Sequence, residues 1–205
     1  EEGGWRARVR LRPERLELRG LEFDIEAEAG MVRAAQGVVD AELSDAWGLD
    51  HGTWSVLKWM APSATTPVVQ MSLRRGLSPP EQIALGQRLS PLRDEGVLIL
   101  GSGNITHNLP DAFSRLRSVD ATTPAWAERF DAAIAAALRD RDAEALTTLL
   151  ASEDGRVAHP TPEHFSPLLY VFGASDAGMR STALPNADFS SATLASIRSS
   201  WLITR

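Results

Sequence analysis

Apolar and polar positions along this 205-residue chain fall into two periods, of about two and about 3.6 residues, which predict alternating strands and helices. Near the start, Arg6, Arg8, Arg10 and Arg12 alternate with Ala7, Val9 and Leu11. That pattern predicts an edge strand with one charged face, continued after Pro13 through Leu16, Leu18 and Leu21. Val32, Ala35, Val38, Val39 and Leu43 share one face of a predicted helix over 32–43. After a loop carrying Trp47, Gly48, Asp50, His51 and Gly52, Thr53 is the expected cap of a short helix to Met60, closed by Pro62. Pro67–Leu73 reads as a buried strand. Ser78-Pro79-Pro80-Glu81 has the serine, early proline and following glutamate of a helix start, and that helix is expected to reach Arg93.

Gly96 to Gly101 encloses the apolar run Val97-Leu98-Ile99-Leu100, the clearest buried strand of the chain. Trp126, Phe130, Ile134 and Leu138 recur every fourth residue and predict a helix over 124–139. Asp142 opens another through Leu150. Thr161-Pro162-Glu163-His164 starts a helix through Phe172, stopped by Gly173, and Leu194, Ile197, Trp201 and Ile203 mark a final strand. The strand–helix–strand order predicts a parallel pair joined by a right-handed crossover. The expected fold class is therefore α/β, a single domain with a mostly parallel or mixed central sheet flanked by helices. Residues 1–31, dense in Arg, Glu, Gly and Leu, stand apart as an atypical N-terminal segment, with the domain proper over 32–205.

Composition narrows the function. Hydrophobic residues make up 43% of the chain, enough for a real core. The net charge of −6 argues against nucleic acid and against an anionic membrane surface as partners. The chain has no cysteine, which excludes disulfides, thiolate catalysis and cysteine-ligated metal. No apolar run reaches the roughly 18 residues of a membrane span. No signal peptide is visible from Glu1 onward, and a cytoplasmic location is expected.

Candidate chemistry centres on four histidines. His107 follows Gly101-Ser102-Gly103-Asn104, beyond the C-terminal end of the predicted buried strand, where ligand sites of open α/β sheets collect. A strand-to-helix turn with a solvated His107 explains the same residues. The Gly-x-Gly-x-x-Gly and Walker patterns are absent, so this is not a phosphate loop. His159 and His164 bracket a proline-rich helix start and, five residues apart, do not share a helix face. His164 falls in the first helical turn, where packing alone also accounts for it. Asp50-His51 is a carboxylate–imidazole neighbour pair with an acid/base role open to it, or simply a polar turn.

Four blocks together resemble the extradiol ring-cleaving dioxygenases of the LigB class, in particular their 4,5-DOPA dioxygenase-like branch. They are Trp47-Gly48-Leu49-Asp50-His51-Gly52-Thr53-Trp54 through Leu57, Pro67-Val68-Val69-Gln70-Met71-Ser72-Leu73, Leu92 through His107-Asn108-Leu109, and His159-Pro160-Thr161-Pro162-Glu163-His164-Phe165 through Ala174. The resemblance covers 32–174. It implies one divalent metal per chain, Fe(II) in turnover or Zn(II) as isolated, which binds a small aromatic diol and O2 while the ring is opened. It also implies roles: His107 and His164 as metal ligands, His51 with Asp50 as the acid/base group, and His159 and Asn108 at the substrate. Asn104 and Asn108 would orient the site through hydrogen bonds.

The chain departs from that pattern in one respect. The resemblance implies two further N-terminal blocks, each with a metal-site histidine, and no histidine precedes His51. Three readings follow: a dioxygenase impaired at its metal site, a catalytically silent relative that binds a ligand or partner chain, and an enzyme in which Asp45, Asp50 or Glu163 completes a two-histidine, one-carboxylate triad. Strands missing from the family fold would expose a sheet edge, so self-association as a homo-oligomer is expected.

Overall fold

A computed structural model describes residues 5–8, 41–44, 49–61, 68–118, 122–176 and 197–204. It divides into two compact units, residues 1–77 with 88–98, and residues 78–87 with 99–205.

The first unit holds β1 (Trp5–Arg8), β2 (Ala41–Ser44), α1 (His51–Met60), β3 (Gln70–Met71) and a 3-10 turn at Ser90–Arg93. Its strands form a sheet of order β2-β1-β3, with β1 parallel to β2 and antiparallel to β3. The strand expected at an edge is therefore the middle one of this sheet, because both sides of Arg8 carry a ladder, to Ser44 and to Gln70. The continuation through Leu16–Leu21, most of the helix expected over 32–43, and Pro62 lie outside the described residues. Ala41–Ser44, expected to end that helix, is strand: Ala41 and Leu43 alternate with Glu42 and Ser44, a two-residue period the longer helical pattern concealed.

The cap of α1 is also different from expectation. Asp50, not Thr53, is the N-cap, and its carboxylate accepts from the Thr53 amide at 3.0 Å. Thr53 falls inside the first turn, and a carboxylate at the N-cap meets the orphan amides directly. Gln70, buried on β3, ties the strand to this helix start: its Oε1 accepts from the Asp50 amide at 2.8 Å and from the Thr53 hydroxyl at 2.7 Å.

Helix α2 (Pro79–Leu89), in the second unit as far as Gln87, starts as read from the sequence, with Glu81 reaching back to accept from the Ser78 amide and hydroxyl. Then follow β4 (Ile99–His107), α3 (Leu109–Ser118), α4 (Ala125–Asp140), α5 (Ala143–Leu149) and α6 (Glu153–Ala158). A 3-10 turn (Pro162–His164), α7 (Ser166–Ala174) and β5 (Ile197–Thr204) complete it. β4 pairs with β5 and the two are antiparallel. The described strands thus form two small sheets rather than one central sheet. β4, expected in a parallel pair with the Pro67–Leu73 strand, has the C-terminal strand as its ladder partner.

The core of this unit is built on α4 and α7. Phe130, Ile134 and Leu138 are buried at the predicted four-residue spacing. In α7, Leu168 to Phe172 are all buried, so this short helix is apolar on every side and sits inside the unit. Phe130, Phe165, Ile134, Leu146 and Leu169 are fully enclosed and pack as one cluster. No helix among the described residues is long and apolar enough to cross a membrane.

Candidate functional site

Strand β4 begins later and runs further than its apolar run predicted. Gly101-Ser102-Gly103-Asn104, read from sequence as a turn, lies within it, and His107 is its last residue. The glycines serve a different purpose from turning. A β-carbon on Gly101 would stand 2.6 Å from a Val171 methyl and 2.9 Å from the Pro167 carbonyl oxygen, and one on Gly103 would collide with the His164 carbonyl. Only a strand without side chains here lets the 3-10 turn and α7 lie directly on β4. That close approach carries His164 to His107.

One irregularity sits just before His107. The ladder to β5 is regular from Ile99 to Asn104 and shifts by one before Thr106, leaving Ile105 as an extra residue, a β-bulge. Ile105 and Thr106 are consequently both buried, at 7% and 0% exposure, where a regular strand would alternate. His159 meets the Ile105 carbonyl: its ring nitrogen Nε2 lies 2.7 Å from that oxygen.

His107 and His164 are brought face to face, with ring centroids 3.5 Å apart and planes 18° from parallel. Burial pushes the His107 imidazole below its ordinary range, while the Glu163 carboxylate pulls it part of the way back. Glu163 is itself held below the usual carboxylate range, chiefly by the Thr161 hydroxyl, which donates to its Oε1 at 2.6 Å. His107 therefore presents a neutral imidazole beside the Glu163 carboxylate near neutral pH.

His159 is 6% exposed. Its ring meets Phe165 edge-on at 5.2 Å and tilts against Phe130 at 5.9 Å. Burial is the main cause of a pKa pushed down to about 4, opposed by the Ile105 carbonyl and reinforced by the nearby His107 and His164. With Nε2 donating to Ile105, Nδ1 keeps a lone pair, and that buried atom has no hydrogen-bond partner among the described residues. Asn108 caps α3: its Oδ1 accepts from the Asp111 amide at 3.0 Å, and its Nδ2 donates to the Val157 carbonyl at 2.7 Å. Helices α3 and α6, which the sequence pattern did not reveal, are joined by this one side chain. Asp50 is the α1 cap described above. His51 is the first residue of α1 in the first unit, and its side chain is outside the described residues.

The donor chemistry suits a divalent metal: two imidazoles, that of His107 with its pKa lowered by burial, and a neighbouring carboxylate. The ring geometry suits it less well. A metal ion lies near the plane of each imidazole it binds, about 2.1 Å from nitrogen, whereas stacked rings direct their lone pairs along nearly parallel lines. One ring must turn for both to reach one ion. Among the described residues no three His, Cys, Asp or Glu side chains form a group that could hold a metal. The triad completed by a carboxylate is thus not seen there: Asp45 lies outside the described residues, Asp50 caps a helix, and Glu163 is held by Thr161.

With the geometry established, comparison with known proteins identifies the family. The family model for the catalytic LigB subunit of aromatic ring-opening dioxygenase matches residues 26–196, and the chain belongs to that family. It is similar to the 4,5-DOPA dioxygenase extradiol of Escherichia coli (strain K12), at 39% identity over 139 residues, which are 64% of this chain and 49% of that protein. The protein of the same name from Beta vulgaris is 39% identical over 141 residues, 68% of this chain and 51% of its own. A crystal structure of an uncharacterized protein from Escherichia coli K12 superposes with a TM-score of 0.65 at 30% identity, covering 84% of this chain and 70% of that one. The chain spans about half the length of the curated relatives it matches.

Proposed function

We propose that this chain carries part of the active site of an extradiol ring-cleaving dioxygenase acting on a catechol-type, DOPA-like substrate. The observation that carries this reading is the His107–His164 pair. Two histidines from separate blocks of sequence meet at 3.5 Å in a chain of the LigB family.

In this reading His107 and His164 hold one divalent metal, Fe(II) in turnover or Zn(II) as isolated. A bound Fe(II) would supply Lewis acidity toward the diol oxygens and electrons for O2. Burial keeps the His107 lone pair available at neutral pH. Glu163 offsets positive charge placed beside the pair and, held by Thr161, does so in a fixed position. His51, with Asp50, is the proposed group that takes a proton from the diol. Asn108 has a second N–H beyond the one given to Val157, and this is the donor proposed to face the substrate. His159 is proposed to border the substrate end from beneath the pair.

The test is metal content per chain after anaerobic loading with Fe(II) or Zn(II), on the wild type and on the double variant His107→Ala/His164→Ala, followed by O2 uptake with catechols. Near-stoichiometric metal that the double variant loses, with catechol-dependent O2 uptake, is expected. Wild-type protein that takes up no metal overturns the reading. A second reading, a silent relative that binds a ligand or partner, is favoured by the meeting of only two ligand-type histidines among the described residues. It predicts catechol binding without O2 uptake.

A further inference from the structure

We propose that His159 is a positioning residue that sets the spacing of the His107–His164 pair from inside the core. Three observations converge on it. Its Nε2 lies 2.7 Å from the carbonyl of Ile105, the bulge residue two positions before His107. Its ring packs edge-on against Phe165, the residue directly after His164, at 5.2 Å. It is 6% exposed and rests on Phe130 of the central cluster.

His159 therefore touches the backbone that leads into one member of the pair and the side chain that follows the other. The Ile105 carbonyl is buried at the bulge and needs a donor, because a buried carbonyl without one costs free energy. The Nε2–H of His159 is that donor. It holds the bulge in one conformation, and the bulge decides which way the end of β4, and so His107, is turned. The contact with Phe165 fixes the 3-10 turn bearing His164 to the same ring. Moving His159 thus moves both imidazoles relative to each other, although it contacts neither in a hydrogen bond. This accounts for the tautomer as well: the proton belongs on Nε2, and Nδ1 is left without a partner among the described residues.

The inference rests on reading His107 and His164 as one site, and its test is chosen to separate the two. Long-range proton–nitrogen NMR on the metal-free protein reports which His159 nitrogen is protonated and records the mutual ring-current shifts of the His107 and His164 ring protons. Protonated Nε2 is expected in the wild type. His159→Phe, which keeps the packing and loses the donor, is expected to lose the mutual ring shifts and to weaken Zn(II) binding roughly 10-fold or more. His159→Gln, which retains an N–H donor, is expected to restore the shifts in part. A proton on Nδ1 in the wild type overturns the proposal without any variant, and so does a folded His159→Phe that keeps the wild-type ring shifts. Should His159→Phe fail to fold, the tautomer and the His159→Gln shifts decide. Ring shifts that depend on His159 in a protein that binds no Zn(II) support the positioning role and remove the dioxygenase reading alone.

Discussion

The Gly103 α-carbon lies so close to the His164 carbonyl that no β-carbon fits between them. Two blocks some sixty residues apart in the chain are in backbone contact there, and the His107–His164 stack is a consequence of it. Gly103→Ala must push the turn off the strand. We expect a loss of about 1–3 kcal/mol in stability, together with separation of the two imidazoles. Urea unfolding of Gly103→Ala checks the first effect, and an unchanged midpoint would show that the turn yields without strain.

His159 couples this unit's stability to pH. Its folded pKa is pushed from 6.5 to about 4 by burial, so the unfolded chain binds this proton more readily than the folded one. The stability it supports is present above about pH 6.5 and is lost as pH falls toward about 4, to a limit of roughly 3 kcal/mol. Carboxylates titrate in the lower part of that window, so the readout is a difference. Wild type minus His159→Gln in unfolding free energy, measured at pH 7, 5.5 and 4.5, is expected to fall with pH. A flat difference contradicts the burial of a neutral ring.

Asn108 does two jobs that substitution can separate. Asn108→Ala removes the α3 cap and the link to Val157, and about 1–2 kcal/mol of stability should go with them. Asn108→Asp keeps a capping acceptor and loses only the donor to Val157. Thermal unfolding should therefore place Asn108→Asp between the wild type and Asn108→Ala. If the two variants coincide, the cap contributes nothing measurable.

Asp50 is where a structural role and a chemical one compete. As the α1 cap it accepts from the Thr53 amide, a role asparagine also performs. Asp50→Asn should leave the melting temperature nearly unchanged, whereas Asp50→Ala should cost about 1 kcal/mol. If Asp50 also raises the basicity of His51, Asp50→Asn lowers turnover and shifts its pH profile. Wild-type kinetics in Asp50→Asn would confine the residue to capping.

Much of the architecture was legible because it depends on short-range order. The Ser78/Glu81 start of α2, the four-residue spacing of Phe130, Ile134 and Leu138, the Asp142 cap of α5 and the C-terminal strand are each set by residues within one or two turns of each other. Misreadings came where two local rules conflicted. Asp50 and Thr53 are both good caps, and only the register of α1 selects Asp50. Gly101 and Gly103 are typical of turns, yet they are strand residues chosen for the backbone packed on them. Helices α3 and α6 were not read from the sequence, and each is anchored by a contact distant in sequence: Asn108 to Val157, and Arg129 to Asp154.

The candidate site shows the same division. The sequence alone determined which side chains could do chemistry: four histidines, no cysteine, and blocks arranged as in the LigB family, since residue identity and local spacing need no fold to be read. Which of them meet was decided only by tertiary structure. The stacking of His107 on His164, the bulge at Ile105 and the burial of His159 beneath it arise from strand register and from helix α7 lying on β4 where Gly101 and Gly103 leave room for it. Those are contacts between residues from about fifty to about a hundred positions apart, and their energies depend on packing in three dimensions rather than on neighbours along the chain.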